Sequence, residues 1–319
     1  RRCGSGTLCR PGMSSTSDTA SALRRISPNA LGAIYMVIGS LGYVTNDALV
    51  RVATDEGLGV YQALCLRGLA MTVLFAALVR ARRRPERPSR LTPPVVARVG
   101  AEVVSTALFF AALVHLEFAT AQTILLLLPF TVTLVAALVL GESVTAGQYA
   151  TVVAGFVGVL LVVQPGTGDF SAWSLAVVGA AVSLTFREFA TRRIDAGTSA
   201  TFVALATSVA ITVMTGVLAA VTEWNAVSAR GAAAVGLACL CLVVGYVFTI
   251  QTVRVGDLSV SAPFRYTTLV GAVILGAIFF DETPGLLTVA GCLIIVVSGI
   301  VAIHLERTSG RSQGSLAEA

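Results

Sequence analysis

An all-α integral membrane protein, with ten transmembrane helices built as two inverted five-helix repeats, is the fold this sequence predicts. Three observations predict it. Of 319 residues, 55% are hydrophobic and only 12% are charged, where a soluble domain carries about 45–50% apolar and about 25% charged residues. The mean hydropathy is +0.85. Ten apolar runs each approach the about 20 helical residues that a hydrocarbon core of about 30 Å demands. Arginines gather at alternate ends of those runs. So little charge cannot clothe the surface of soluble domains of this length, which excludes an ordinary soluble enzyme.

The runs are 30–52, 60–79, 95–115, 118–140, 147–164, 172–190, 199–220, 232–253, 259–280 and 286–304. Residues 1–28 are rich in Ser, Thr, Gly and Arg, and are expected to be a disordered cytoplasmic tail. The first run is read as a spanning helix, because a signal-peptide core is about 7–15 residues. Residues 29–166 then form the first repeat, 167–305 the second, and 306–319 a polar cytoplasmic tail. Short loops carrying Gly, Pro, Asp, Glu or Arg separate the runs, as expected where the chain turns at an interface.

Orientation follows from arginine, the sole basic residue type apart from the two histidines, since the chain has no lysine. If the N-terminus is cytoplasmic, that side holds Arg24, Arg25, six arginines between Arg80 and Arg90, Arg192, Arg193, Arg254, Arg307 and Arg311. The other side holds Arg230 alone. This is the positive-inside pattern, and it places both termini in the cytoplasm and the chain in the cell (inner) membrane. A net charge of +5 spread over such loops does not form a basic face, so no nucleic-acid partner is expected.

The halves resemble each other. Ala136 to Glu142 ends one run and Leu275 to Glu282 ends another, with the two glutamates 140 positions apart. Gly158-Val159-Leu160-Leu161-Val162 and Gly299-Ile300-Val301-Ala302-Ile303 are 141 apart. Five is odd, so two consecutive five-helix units cross in opposite senses. Inverted repeats with a site at their interface are typical of secondary transporters.

Ionisable residues inside apolar runs are functional candidates, since each costs about 2.5–3.5 kcal/mol at mid-bilayer. Asp47 and Arg51 are i and i+4. They either neutralise one another or line a cavity, with Asp47 meeting a cationic group or a coupling proton. Arg67 has no acid within four positions, so its partner is another helix, through Asp47 or Glu102, or a ligand. Glu102 lies four residues after Arg98, so the two either pair near the interface or leave Glu102 to another helix or a ligand. Arg187 and Glu188 fall near the inner end of their run, where Arg187 is expected to snorkel. Pro263 breaks its helix, and Arg265 with Tyr266 beside that break suits a carboxylate, a phosphate or a flat ring. Pro129 is read as a kink facing the cavity. The substrate-binding candidates are therefore Asp47, Arg67, Glu102, Arg265 and Tyr266. Pro129 and Pro263 are helix breaks, and Arg51, Arg187 and Glu188 are further candidate charges.

Close-spaced small residues at Gly39 and Gly42, Gly155 and Gly158, and Ala272 and Gly276 predict tight helix contacts. Four of the six cysteines lie in apolar runs, with no Cys-x-x-Cys pair, and the histidines His115 and His304 are far apart. No metal site, disulfide framework or cofactor is expected. The chain has no His-Glu-x-x-His motif and, lacking lysine, no Walker A loop, so no catalytic residues are assigned and it is not read as an enzyme.

Several of these stretches resemble the EamA-type transporters of the drug/metabolite transporter superfamily, over roughly residues 30–304. They are Asn46 to Arg51, Leu66-Arg67-Gly68, and Ala119, Ala121 and Pro129 followed by Gly141-Glu142. Gly158 to Gly166 with its Gln164-Pro165-Gly166 exit, Ala262 to Thr267, and Phe280 to Pro284 complete the set. The blocks around Asn46 and Ala262 look most similar to the subgroup of riboflavin and S-adenosylmethionine importers. Phe109 to Leu113 departs from it in lacking a tyrosine, and Asp281-Glu282 in replacing Gly-Glu. The resemblance implies ten helices, a central cavity and alternating access without ATP. The expectation is a secondary transporter for a small organic metabolite, anionic or zwitterionic, and amino-acid-, flavin- or nucleoside-like. A slight excess of arginine over acid inside the runs leans toward that charge. A channel-like facilitator is the alternative, and an integral-membrane enzyme the more distant one. Expected partners are the metabolite, the lipid bilayer, and a coupling proton or exchanged metabolite, with a homodimer left open.

Overall fold

The computed structural model describes residues 27–81, 90–139, 145–164, 171–195, 197–222, 224–255 and 261–317. The expected tail before residue 27, the Gly141-Glu142 block and Pro165-Gly166 lie outside these residues. The elements are α1 (Pro28–Asp55), α2 (Val60–Ala81), α3 (Pro93–Leu113), α4 (Phe118–Leu125), α5 (Leu128–Val139), α6 (Ala146–Val163), α7 (Trp173–Arg192), α8 (Ala200–Val221), α9 (Ala229–Val255), a 3-10 turn (Ala262–Tyr266), α10 (Thr267–Phe280) and α11 (Leu286–Ala317). Among the described residues every regular element is helical, and ten spans are long and apolar enough to cross a bilayer. Side chains in α11 are described as far as Leu305.

Local chemistry sets the ends. Ser27 caps α1 by accepting from the Ala30 amide at 3.2 Å, and Pro28 fills its first turn. Thr145 and Gln148 form a reciprocal capping box at the start of α6. Two spans are broken by proline. Pro129 supplies no N–H to the carbonyl four residues back, and the chain tightens just before it. There Leu126 and Leu127 bond to the carbonyls of Thr123 and Ile124, separating α4 from α5. Pro263 sits in the 3-10 turn that precedes α10. Both expected helix breaks are present.

Packing pairs the spans across the two halves. α1 lies against α9, α3 against α7, α2 against α8, and α6 against α11. Exchanging each span with the one five places on turns this set of pairs into itself, the pattern that two related five-helix units produce. α4 is nearly engulfed, from Phe118 through Ile124. Phe118, Phe130, Leu127, Leu64 and Ile295 anchor the core. Large apolar side chains such as Val73, Leu138, Leu240, Ile278 and Leu293 stay exposed, forming the lipid-facing surface of a multi-pass membrane protein.

The expected small-residue contacts are close ones. A Cβ on Gly42 would stand 2.8 Å from the Gly245 amide nitrogen and 2.9 Å from the Cys241 carbonyl oxygen. A Cβ on Gly158 would stand 2.9 Å from the Gly291 carbonyl oxygen, at the α6–α11 crossing. Backbone opposes backbone there, so nothing can swing aside. Gly42→Ala is therefore expected to cost about 1–3 kcal/mol by overpacking, read as a lower melting temperature in detergent. Gly100→Ala, where no atom lies within 4 Å, should melt at or above the parent temperature.

Candidate transport site

Two groups of ionisable side chains lie inside the bundle, and each is assembled from several helices. The first centres on Asp47 and Arg67. Asn46 donates through Nδ2 to Asp47 Oδ1 at 2.8 Å and accepts at Oδ1 from Arg67 Nη1 at 3.2 Å. Gln122 of α4 donates to Asp47 Oδ2 at 2.9 Å. The Arg67 guanidinium also lies 5.0 Å from the centroid of the Phe110 ring. Arg67 is 7% exposed and Asn46 is 2% exposed, while Asp47 between them is half-buried. Four spans meet in it.

The second group is half-buried. Arg187 of α7 donates to both Glu102 oxygens, at 2.9 and 3.3 Å, and to Glu188. Arg187 and Glu102 are each 22% exposed. Arg98 belongs to the same charge cluster but spends its hydrogen bond on Thr207 of α8, at 3.0 Å. Of the two readings of Glu102, the Arg98 pair is therefore replaced by Glu102–Arg187. Likewise Arg187 is held between two acids instead of snorkelling. An acid on a neighbouring helix sits at contact distance, and a guanidinium in lipid takes the nearest carboxylate.

Arg51 turns away from Asp47. Its Nη1 lies 2.8 Å from Glu282 Oε1 and donates to the Leu116 carbonyl at 2.9 Å. Its guanidinium stands 4.3 Å from the centroid of the Phe280 ring. Glu282 in turn accepts from the Phe118 amide at 2.6 Å, at the positive end of α4. Burial pushes the Glu282 carboxyl above its ordinary value, against the pull of Arg51 and of the Phe118 and Ala119 amides. Of the two readings of Asp47 and Arg51, the i, i+4 pair is absent, because α10 ends in a left-handed Asp281 that delivers Glu282 to Arg51.

Arg265 is exposed and takes no part in either group. Tyr266 is 7% exposed and packs its ring over Gly299 of α11. Pro129 opens α5, one turn beyond the residues that follow Gln122. A groove of about 580 Å³ runs between α6 and α11, lined by side chains such as Ala150, Ala154, Leu293 and Val297 and by no ionisable group. Among the described residues no three His, Cys, Asp or Glu side chains cluster to hold a metal.

Asn46 and Gln122, which are not among the sequence candidates because they carry no formal charge, bind the charges directly. One signal was available for the second group. Asp47-x-x-x-Arg51 recurs as Glu188-x-x-x-Arg192, 141 positions on, the same offset as Gly158 to Gly299.

Ten apolar spans, two proline-broken helices and paired charges inside the bundle describe a multi-pass helical membrane protein. The EamA-like transporter family model matches residues 30–164. Over 288 residues the chain is 28% identical to the pseudopaline exporter CntI of Pseudomonas aeruginosa, covering 87% of this chain and 96% of that one. It is 26% identical over 200 residues to the S-adenosylmethionine uptake transporter of Rickettsia prowazekii, covering 61% of this chain and 66% of that one. A solved crystal structure at 20% identity superimposes with a TM-score of 0.58 over 86% of this chain and 98% of its own, a likeness of fold. Residues 30–164 thus match the EamA-like transporter family, and most of the chain is similar to metabolite transporters, which supports a place in the drug/metabolite transporter superfamily.

Arg187→Met is expected to lower the melting temperature in detergent, because it leaves Glu102 and Glu188 without their cation. Exposure of 22% should hold the loss below the about 3–5 kcal/mol of a fully buried pair. Adding Glu102→Gln should recover part of it. A single variant that melts with the parent would show that the pair does not stabilise the bundle.

Proposed function

We propose that the protein is a secondary transporter that moves a small organic metabolite across the inner membrane by alternating access. The observation that carries this reading is the pair of charge groups within the spans, the Asp47–Arg67 relay of the first half and the Glu102–Arg187 group that joins both halves. With Arg51 neutralised by Glu282 and Arg265 exposed, the charges inside the bundle balance. Arg67, Arg98 and Arg187 stand against Asp47, Glu102 and Glu188. The arginine excess counted along the runs therefore disappears, and the balance favours a zwitterionic solute over a simple anion. Glu102 and Arg187, each 22% exposed, are within reach of a solute in this conformation, while Arg67 of the other group is buried.

The arginine asymmetry supports cytoplasmic termini, so the Arg51–Glu282 end of the bundle faces outward. Direction of transport does not come from the relatives, since one is an exporter and the other an uptake transporter. Both are metabolite carriers, which supports a small-molecule substrate for this chain.

The test is counterflow in proteoliposomes, with the substrate first selected by thermal shift against amino acids, nucleosides, flavins and S-adenosylmethionine. Saturable counterflow is expected, reduced at least tenfold in Arg67→Met and Arg187→Met and retained in Arg265→Ala. Flux that never saturates and shows no exchange would instead identify a channel-like facilitator.

A further inference from the structure

The contacts around Glu282 close into a ring. Arg51 and Asp47 lie on α1, one turn apart. Arg51 pairs with Glu282 at 2.8 Å. Glu282 caps α4 through the Phe118 amide. Gln122, one turn along α4, returns to Asp47 at 2.9 Å. Two helical turns and three polar contacts therefore connect a surface-end ion pair to the relay beneath it. Phe118 and Phe280 pack together at 5.6 Å between ring centroids, and Arg51 covers the Phe280 ring. This plug unites α1, the Leu116 turn and α4 from the first half with the end of α10 from the second.

α4 is only eight residues long and is separated from α5 by a proline break, so it can move as a unit. Its N-terminus is held by Glu282, whose carboxylate belongs to the other half of the chain. A displacement of α10 against α1 would break the ion pair, release the cap and withdraw Gln122 from Asp47 together. Conversely, anything that changes what Asp47 accepts is felt at Phe118 through one turn of helix.

We infer that Arg51 and Glu282 form the closing contact of the outer gate, and that α4, through Gln122, couples this gate to the Asp47–Arg67 relay. The inference rests on the transporter reading above. In this conformation the gate is shut.

A native thiol reports on it. Cys292 of α11 is buried at 7% exposure and sits 3.4 Å from Thr123 Oγ1 on α4, beneath the plug. With the other cysteines replaced, the rate of Cys292 alkylation in purified, detergent-solubilised protein measures opening and needs no substrate. Glu282→Gln and Arg51→Gln are expected to raise that rate at least tenfold, with melting retained within a few degrees, and Arg265→Ala to leave it unchanged. Rates equal to the parent in both latch variants would overturn the gate.

If those variants fail to fold, the double variant Arg51→Cys with Glu282→Cys decides the question through a short bifunctional thiol reagent. Cross-linking is expected to abolish counterflow and reductant to restore it. Full counterflow in the cross-linked protein would mean that the contact is merely structural. A parent protein that exchanges no metabolite would sink the transport reading, and the Cys292 rates would still decide the gate.

Discussion

Charge in hydrocarbon must find a partner, and in this bundle the partner comes from another helix. A guanidinium or carboxylate buried alone would cost several kcal/mol. Arg67 therefore reaches Asn46, Arg187 reaches Glu102, and Arg51 reaches Glu282. Each contact names a pair of spans that must lie side by side. Polar satisfaction thus selects the arrangement of helices that apolar packing alone would leave degenerate, because lipid tails are as apolar as leucine.

Apolar surfaces then supply closeness where charge supplies choice. Glycines at the α1–α9 and α6–α11 crossings bring backbones into contact, and the exposed apolar side chains face lipid. The resulting division is mechanical. Glycine-lined crossings tie spans from opposite halves tightly along their length. The polar contacts at Glu282 and Asp47 are few and directional, and they gather on the short segment α4, which a tightened turn before Pro129 separates from α5.

The proposed function rests on the same few groups. Asp47 accepts two amide donors and Arg67 lies one asparagine away, so the relay holds both signs of charge without bringing them together. Glu102, Arg187 and Glu188 hold both signs as well, in a half-buried position. A site that offers balanced charge at two depths is suited to a solute that itself carries both.

The sequence by itself determined the spans, their number and the proline breaks, because hydrocarbon thickness and the missing proline N–H act locally. The ten observed spans begin and end within a few residues of the apolar runs. It also marked most of the charges inside the bundle, since an ionisable residue in an apolar run is conspicuous. Their pairing was decided only by tertiary structure. Asp47 and Arg51 share a helix face, as do Arg98 and Glu102, and local spacing argues for both pairs. In each case the arginine turns to a group more than a hundred positions away, Glu282 for Arg51 and Thr207 for Arg98. A long side chain samples every neighbour within its reach. Which neighbours those are depends on helix crossings fixed by distant glycines and by the turn at Asp281, which one-dimensional spacing does not encode.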